Sequence, residues 1–266
     1  MESELNQQIA RTGGFPVAGV HRGGAPHIGP ENTLLAFRRS VEFGSRLLEL
    51  DVRLTRDRQP ILMHDCNTMR TTGHDANVWD LTLAEIQSLD AAYNDDQLRG
   101  TGIRVPTLQE FLSEFVPQEE LLFLLDFKDG ESVKVALAIV EPLGIEHRLL
   151  LGSVFGPVNQ ILRQQRSGVP ISTDTKESIR IISLYQFGLL EMHHFHHQIF
   201  GFILRKETRR FWSYDLVRTL RGRGIQILVC GSDLDDPSVL RECIAWGCEY
   251  ILTDSPDVLH SIMNEK

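Results

Sequence analysis

The chain has 266 residues, an ordinary apolar (42%) and charged (24%) content, and a formal net charge of −9. That length suits one large α/β domain with an ample core. The acidic balance argues against nucleic acid and against bulk attraction to anionic membrane, so an anionic substrate needs a local cationic site.

Residues 1–14 are polar, end in Gly13-Gly14, and read as a loose arm or lid. Phe15 to Val20 is a short apolar strand running into His21-Arg22-Gly23-Gly24. Pro30-Glu31-Asn32-Thr33 then opens a helix through Phe43, with Ala36, Phe37, Val41 and Phe43 as core positions and Gly44 as the stop. In the next run Leu48, Leu50, Val52 and Leu54 alternate with Glu49, Asp51, Arg53 and Thr55, the period of a β-strand. Glu49 and Asp51 therefore leave the same face, and two adjacent carboxylates repel unless a proton or cation sits between them. Pro60 to Asp65 is a second short strand carrying His64. The link Arg56-Asp57-Arg58-Gln59 is too short for a parallel crossover, so the two strands form a hairpin. Folding it about Asp57 and Arg58 sets His64 roughly opposite Asp51.

Residues 67–106 read as a small polar excursion over one face, with a capping box at Thr82-Leu83-Ala84-Glu85. A second box, Thr107-Leu108-Gln109-Glu110, starts the next helix. Leu121 to Phe127 is a buried strand ending in Asp126-Phe127-Lys128, followed by a helix over 131–141. Further strands at 149–153, 170–173, 199–204, 225–230 and 249–252 are separated by helical stretches. Asp236-Pro237 and Ser255-Pro256 mark helix starts. With the strands at 16–21, 47–54 and 121–127 this makes eight, the arithmetic of a (β/α)₈ barrel. A doubly wound sheet usually has fewer strands and often a Gly-rich phosphate fingerprint, which is absent.

In such a barrel, functional groups sit at the C-terminal strand ends. His21 and Arg22 follow the first strand, Glu49 and Asp51 lie on the second, and Asp126 and Lys128 end the third, with His64 added by the hairpin. Three carboxylates supply hard oxygen ligands suited to Mg²⁺ or Ca²⁺. Two imidazoles suit acid–base work near neutral pH, and Arg22 and Lys128 suit an anion. Together they describe phosphoryl transfer to or from an ester.

These residues resemble the glycerophosphodiester phosphodiesterases, the phosphatidylinositol-phosphodiesterase-like barrels. The resemblance rests on His21-Arg22-Gly23-Gly24, Pro30-Glu31-Asn32-Thr33 with Ala36-Phe37, Glu49-Leu50-Asp51-Val52 with Thr55 and Asp57, His64-Asp65, Arg70-Thr71-Thr72 and Thr253-Asp254-Ser255-Pro256. It implies a single irregular (β/α)₈ TIM-barrel domain over 1–266, with 67–106 as an insertion after the second strand. It implies catalytic His21 and His64, read as base and acid, and a divalent metal, Mg²⁺ or Ca²⁺, on Glu49, Asp51 and Asp126. Arg22, Lys128 and Glu31 are implied at the substrate, a glycerophosphodiester or a lysophospholipid. A lysophospholipase-D-like activity and a silent binding barrel are the alternatives. Two departures stand out. Asp126 replaces the family's glutamate, and Cys230-Gly231-Ser232-Asp233 replaces an aromatic Trp-Thr-x-Asn wall, which implies a wider pocket and a lipid-bearing substrate.

His193, His194, His196 and His197 cluster around Phe195; a polar helix face or loop is favoured there over a zinc site. Ile199 to Leu204 reads as a buried strand rather than a membrane patch, although peripheral membrane contact stays open. The basic clusters at 205–210 and 218–223 read as solvated faces. The four cysteines lack CxxC spacing and read as free thiols. Met1 to Arg11 lacks the apolar core of a signal peptide, and no apolar run approaches the ~20 residues that span a bilayer. A cytoplasmic location is expected.

Overall fold

The computed structural model describes residues 16–165 and 168–265. The expected N-terminal arm lies outside them. The strands are β1 (Val17–His21), β2 (Leu47–Leu54), β3 (Pro60–Leu62), β4 (Leu122–Phe127), β5 (Leu149–Gly152), β6 (Ile199–Ile203), β7 (Gln226–Cys230) and β8 (Tyr250–Thr253). The helices are α1 (Leu34–Glu42), α2 (Met69–Thr72), α3 (Leu83–Gln87), α4 (Leu108–Phe115), α5 (Gly130–Val140), α6 (Gly156–Gln165), α7 (Thr175–Gln186), α8 (Tyr214–Arg221), α9 (Pro237–Trp246) and α10 (Pro256–Met263).

Neighbouring strands run in the order β5-β4-β2-β1-β8-β7-β6, with every pair on this path parallel. Between β5 and β6 the expected strand at 170–173 is reduced to two isolated bridges, Leu151 with Ile171 and Ser172 with Ile199. Those bridges complete an irregular eight-staved α/β barrel. The arm β3 pairs antiparallel with β2, as the short link requires.

Side-chain alternation builds two layers from each stave. Val17, Leu47, Leu122, Leu124, Leu150, Ile199, Leu228, Tyr250 and Leu252 fill the barrel interior as one cluster. The intervening residues of β2 and β4 (Leu48, Leu50, Val52, Phe123, Leu125, Phe127) face outward onto α1, α4, α5 and α6. A second outer cluster packs β6, β7 and β8 against α7 to α10. Phe37, Phe111, Phe115 and Phe123 meet edge-on or tilted at ring-centroid distances of 4.8–6.1 Å in the first cluster.

Both capping boxes form, with Thr82 and Thr107 each accepting from the backbone N–H three residues on and the glutamate answering. Asp236 caps α9 through Ser238, whereas the Ser255 side chain makes no capping bond. Residues 67–106 lie between β3 and α4. They have a small core of their own, in which Val78, Ile86, Ala91 and Val105 close over Ile61 and Met63 of the β3 arm. Phe43 is a correction: it follows the last turn of α1 and is 44% exposed, while Ala36 and Phe37 are fully buried. The four cysteines are free thiols. Among the described residues, no helix is long and apolar enough to cross a membrane.

Candidate active site

The interior alternation continues upward past the apolar plug. Above Leu47 on β2 come Glu49 and Asp51; above Leu122 and Leu124 on β4 come Asp126 and then Lys128; β1 delivers His21, and β8 delivers Asp254 beyond Leu252. Parallel register aligns these groups, pairing His21 with Glu49 and Asp51 with Asp126. The interior layer at the mouth is therefore ionisable, above an apolar plug. Glu49, Asp51 and Asp126 each bring a carboxylate oxygen within 4.8 Å of the others.

Glu49 and Asp51 are buried. Lys128 Nζ bridges Asp51 Oδ1 at 2.7 Å and Asp126 Oδ2 at 2.5 Å. Arg22 Nε lies 3.2 Å from Asp51 Oδ2, and the Arg22 backbone N–H donates to Glu49 at 2.9 Å. Asn32 donates to Asp51 at 2.7 Å and accepts from its backbone N–H at 3.2 Å. Arg22 and Asn32 both hold φ near +50°, unusual for residues with a Cβ. The bond from Asn32 N–H to Arg22 carbonyl (2.8 Å) ties the two together. Such strain persists only where the surroundings over-determine it. Gly23 and Gly24 make the loop possible: with φ of 85° and 81°, a Cβ would strike Ala36 at 2.8 Å and Ile28 at 2.6 Å.

Charge is divided unequally among the carboxylates. Burial, then repulsion from Asp51, pushes Glu49 up to about 7. Burial alone would raise Asp51 too, but Lys128 and Arg22 hold it well below the carboxylate range. Asp126 is raised by burial and by Asp51 despite Lys128. Cys230 faces the same cluster. Burial pushes its thiol up to about 12, with Glu49 and Asp126 adding to the effect, so it is no thiolate nucleophile.

Each histidine is backed by a carboxylate. His21 Nδ1 meets Asp254 Oδ1 at 2.9 Å, and His64 Nδ1 meets Asp65 Oδ1 at 2.7 Å, so each ring's Nε2 takes no part in these bonds. Burial would depress His21, but Asp254 and Glu49 lift it above its ordinary value. His64 is held low by burial, with Lys128 and Arg22 contributing, despite Asp51 and Asp65. The hairpin register is one residue off the expectation. Val52 pairs with Leu62, and Met63 N–H bonds Asp51 carbonyl at 3.0 Å, so Met63 rather than His64 lies opposite Asp51. The cause is the turn: Thr55 pairs with Gln59 around Arg56–Arg58, and Arg58 takes φ of 60°. Arg53 Nε holds the His64 carbonyl at 2.9 Å and fixes the strand end.

Glu31 sits a step back from the carboxylate cluster. Its two oxygens accept from Arg70 at 2.6 and 2.7 Å, and it lies 3.8 Å from Arg22. Arg70 also grips Asp65 at 2.5 Å, so α2 of the insertion braces the His64 pair. Against its burial, Asp65 is held down to about 2 by Arg70 and His64. The sequence pattern by itself assigns no role to Asn32, Asp65, Arg70 or Asp254. All four lie in quoted motifs, but their partners become visible only in three dimensions.

Residues 21–144 match the model of the glycerophosphoryl diester phosphodiesterase family. A glycerophosphodiester phosphodiesterase of Caldanaerobacter subterraneus subsp. tengcongensis is 29% identical over 92% of this chain and 97% of its own length. Lysophospholipase D GDPD1 of Rattus norvegicus is 27% identical over 92% of this chain and 85% of its own. The crystal structure of a glycerophosphodiester phosphodiesterase from Agrobacterium tumefaciens superposes with a TM-score of 0.76 at 26% identity, covering 93% of this chain and all of that one. The barrel, its acidic mouth and two carboxylate-backed histidines accompany these likenesses, which make the chain similar to the glycerophosphodiester phosphodiesterases.

Proposed function

We propose that the chain is a metal-dependent hydrolase cleaving glycerophosphodiesters to glycerol 3-phosphate and an alcohol. One observation carries this reading: three carboxylates, two carboxylate-backed imidazoles and two cations converge at one barrel mouth. Glu49, Asp51 and Asp126 would hold a divalent ion of the Mg²⁺ or Ca²⁺ class. The donors are hard oxygens, and Asp126 Oδ1 is buried without a hydrogen-bond partner. When bound, that ion neutralises charge on the phosphoryl oxygens.

Arg22 and Lys128 line the mouth as the cationic surface for the phosphate. We place Glu31 as an anchor of Arg70 and Arg22 rather than on the phosphate itself. His21 Nε2 takes the proton of the attacking oxygen, either from water, which gives glycerol 3-phosphate directly, or from the substrate's own glycerol 2-hydroxyl, which gives a cyclic phosphate that water then opens. His64 Nε2 returns a proton to the leaving alcohol. The opposite shifts favour that division, since raising His21 makes it the stronger base and lowering His64 makes its imidazolium the stronger acid.

A lysolipid substrate is the second reading. Val154 and Phe155 are exposed just beyond β5, at the same mouth, and an apolar rim there suits an acyl chain. The name of the rat relative supports it. A product screen over glycerophosphodiesters and lysolipids, with Mg²⁺ or Ca²⁺ and mass detection, separates the two. Glycerol 3-phosphate from glycerophosphocholine is the expected outcome. Headgroup release from lysolipid vesicles alone favours the second reading. Turnover that persists in EDTA, or in His21→Ala, refutes the metal–histidine mechanism.

A further inference from the structure

A second group of ligand-type side chains lies on the flank of the barrel and shares no residue with the mouth. The connector His193–Gln198 leads into β6 without regular structure, so the histidine cluster is a loop, as its composition suggests. It is not uniformly solvated. His194 and His196 are exposed, but His193 and His197 are only 8% and 4% exposed, and the His197 side chain has no accessible surface. Phe195 packs edge-on against both rings, at centroid distances of 4.6 and 5.8 Å. Glu177, in the first turn of α7, reaches the same spot, its Oε1 3.1 Å from His197 Nδ1.

This pocket breaks the rule that buried polar groups are hydrogen-bonded. Both ring nitrogens of His193 and Nε2 of His197 are buried without a hydrogen-bond partner, and His197 Nδ1 has only the Glu177 carboxylate. Three unsatisfied imidazole nitrogens beside a carboxylate call for a common partner that can accept several lone pairs at once. One ligand atom from each of Glu177, His193 and His197 lies within 4.8 Å of the others. Four-coordinate zinc, with bonds of ~2.0–2.1 Å, sets its donors about 3.4 Å apart. The Glu177–His197 edge, at 3.1 Å, is already close to that length, and His193 needs a shift on the order of 1 Å.

We propose that Glu177, His193 and His197 form a second metal site that takes a zinc-class divalent ion and clamps α7 to the connector before β6. Two imidazoles and one carboxylate suit zinc, in contrast to the all-oxygen set at the mouth. The charged groups facing the pocket are consistent with this. Arg163 Nη1 lies 3.7 Å from Glu177 Oε2, so one carboxylate oxygen is paired while the other faces His197. Burial, then His197 and Arg180, hold the His193 imidazole below its ordinary value despite Glu177, toward the neutral form that ligates.

The test uses the full chain, stripped by chelator and titrated with Zn²⁺ or Co²⁺ in millimolar Mg²⁺ to occupy the mouth. One tight equivalent is expected, with the visible absorption of four-coordinate Co²⁺ and a Tm rise of about 5 °C. Glu177→Gln and His197→Ala should weaken it by at least about tenfold, and Glu49→Gln should keep it. No tight equivalent, or one lost in Glu49→Gln and kept in His197→Ala, overturns the proposal. Should His197→Ala fail to fold, the imidazole ¹⁵N shifts of the wild type decide. Movement at His193 and His197 on adding Zn²⁺ supports the site; movement confined to His21 and His64 refutes it.

Discussion

Replacing Asp254 with asparagine isolates the support behind the proposed base. Asp254 Oδ1 is 2.9 Å from His21 Nδ1, and both side chains are about a quarter exposed. A hydrogen bond to a charged group contributes ~1.5–3 kcal/mol, which at 1.36 kcal/mol per tenfold is about 10–100-fold in rate. Partial exposure places this bond in the lower half of that range. Asparagine adds a second fault, because its amide can donate to Nδ1 and hold the wrong tautomer, a change that cost ~10⁴-fold in a serine protease. The combined loss expected in kcat is about 10²–10³-fold, with KM little changed. Removing the carboxylate also removes part of what raises His21, so the acidic limb of kcat/KM moves to lower pH. The assay is release of glycerol 3-phosphate from glycerophosphocholine across pH, repeated in a His21→Ala background. There Asp254→Asn should cost almost nothing further. A variant within about threefold of wild type, or losses that simply add, would refute the dyad.

Three further outcomes are expected. Asp126→Glu, which lengthens the third carboxylate to the family's usual residue, should keep activity within a few-fold, while Asp126→Asn should raise the Mg²⁺ concentration for half-activity by about 10–100-fold; metal titration of initial rates distinguishes them. In metal-free protein, thermal stability should fall as pH rises from about 4.5 to about 7, because Glu49 binds its proton more tightly when folded. Asp126 and His21 act in the same direction, and His64, being lowered, opposes them. Calorimetry of Glu49→Gln should give a flatter profile, and an unchanged slope would disprove the assignment. Phe111→Ala removes the ring that touches Phe37, Phe115 and Phe123, and should cost about 3–5 kcal/mol in urea unfolding with the m-value unchanged.

The period-two pattern of β2 already determined that Glu49 and Asp51 share a face. It could not say that this face is the barrel interior, which became clear once Leu47 was found in the interior cluster. Strand ends and capping boxes were legible because they are local. His64 was displaced by one residue because register depends on the turn conformation at Arg58, which short-range pattern does not specify. The Asp254–His21 contact joins positions 233 apart in sequence, and the Arg70 bracket joins the insertion to the loop before α1. Such partners are set by tertiary proximity alone. His193 and His197 illustrate the opposite limit, since polar composition suggested solvent where packing around Phe195 buries both rings.

The closure between β5 and β6 has a consequence for how the barrel opens. Along that seam, backbone pairing is short, and side chains supply some of the rungs. The Thr173 hydroxyl accepts from Gly201 N–H at 2.9 Å, and Gln198 Oε1 accepts from Ile171 N–H at 3.4 Å. A ladder with such rungs resists local unfolding less than the six-residue register of β2 with β4. Amides at 168–173 should therefore exchange with solvent earliest among the staves, and the barrel should part there first, with β2 and β4 holding the acidic mouth together after the far wall has loosened.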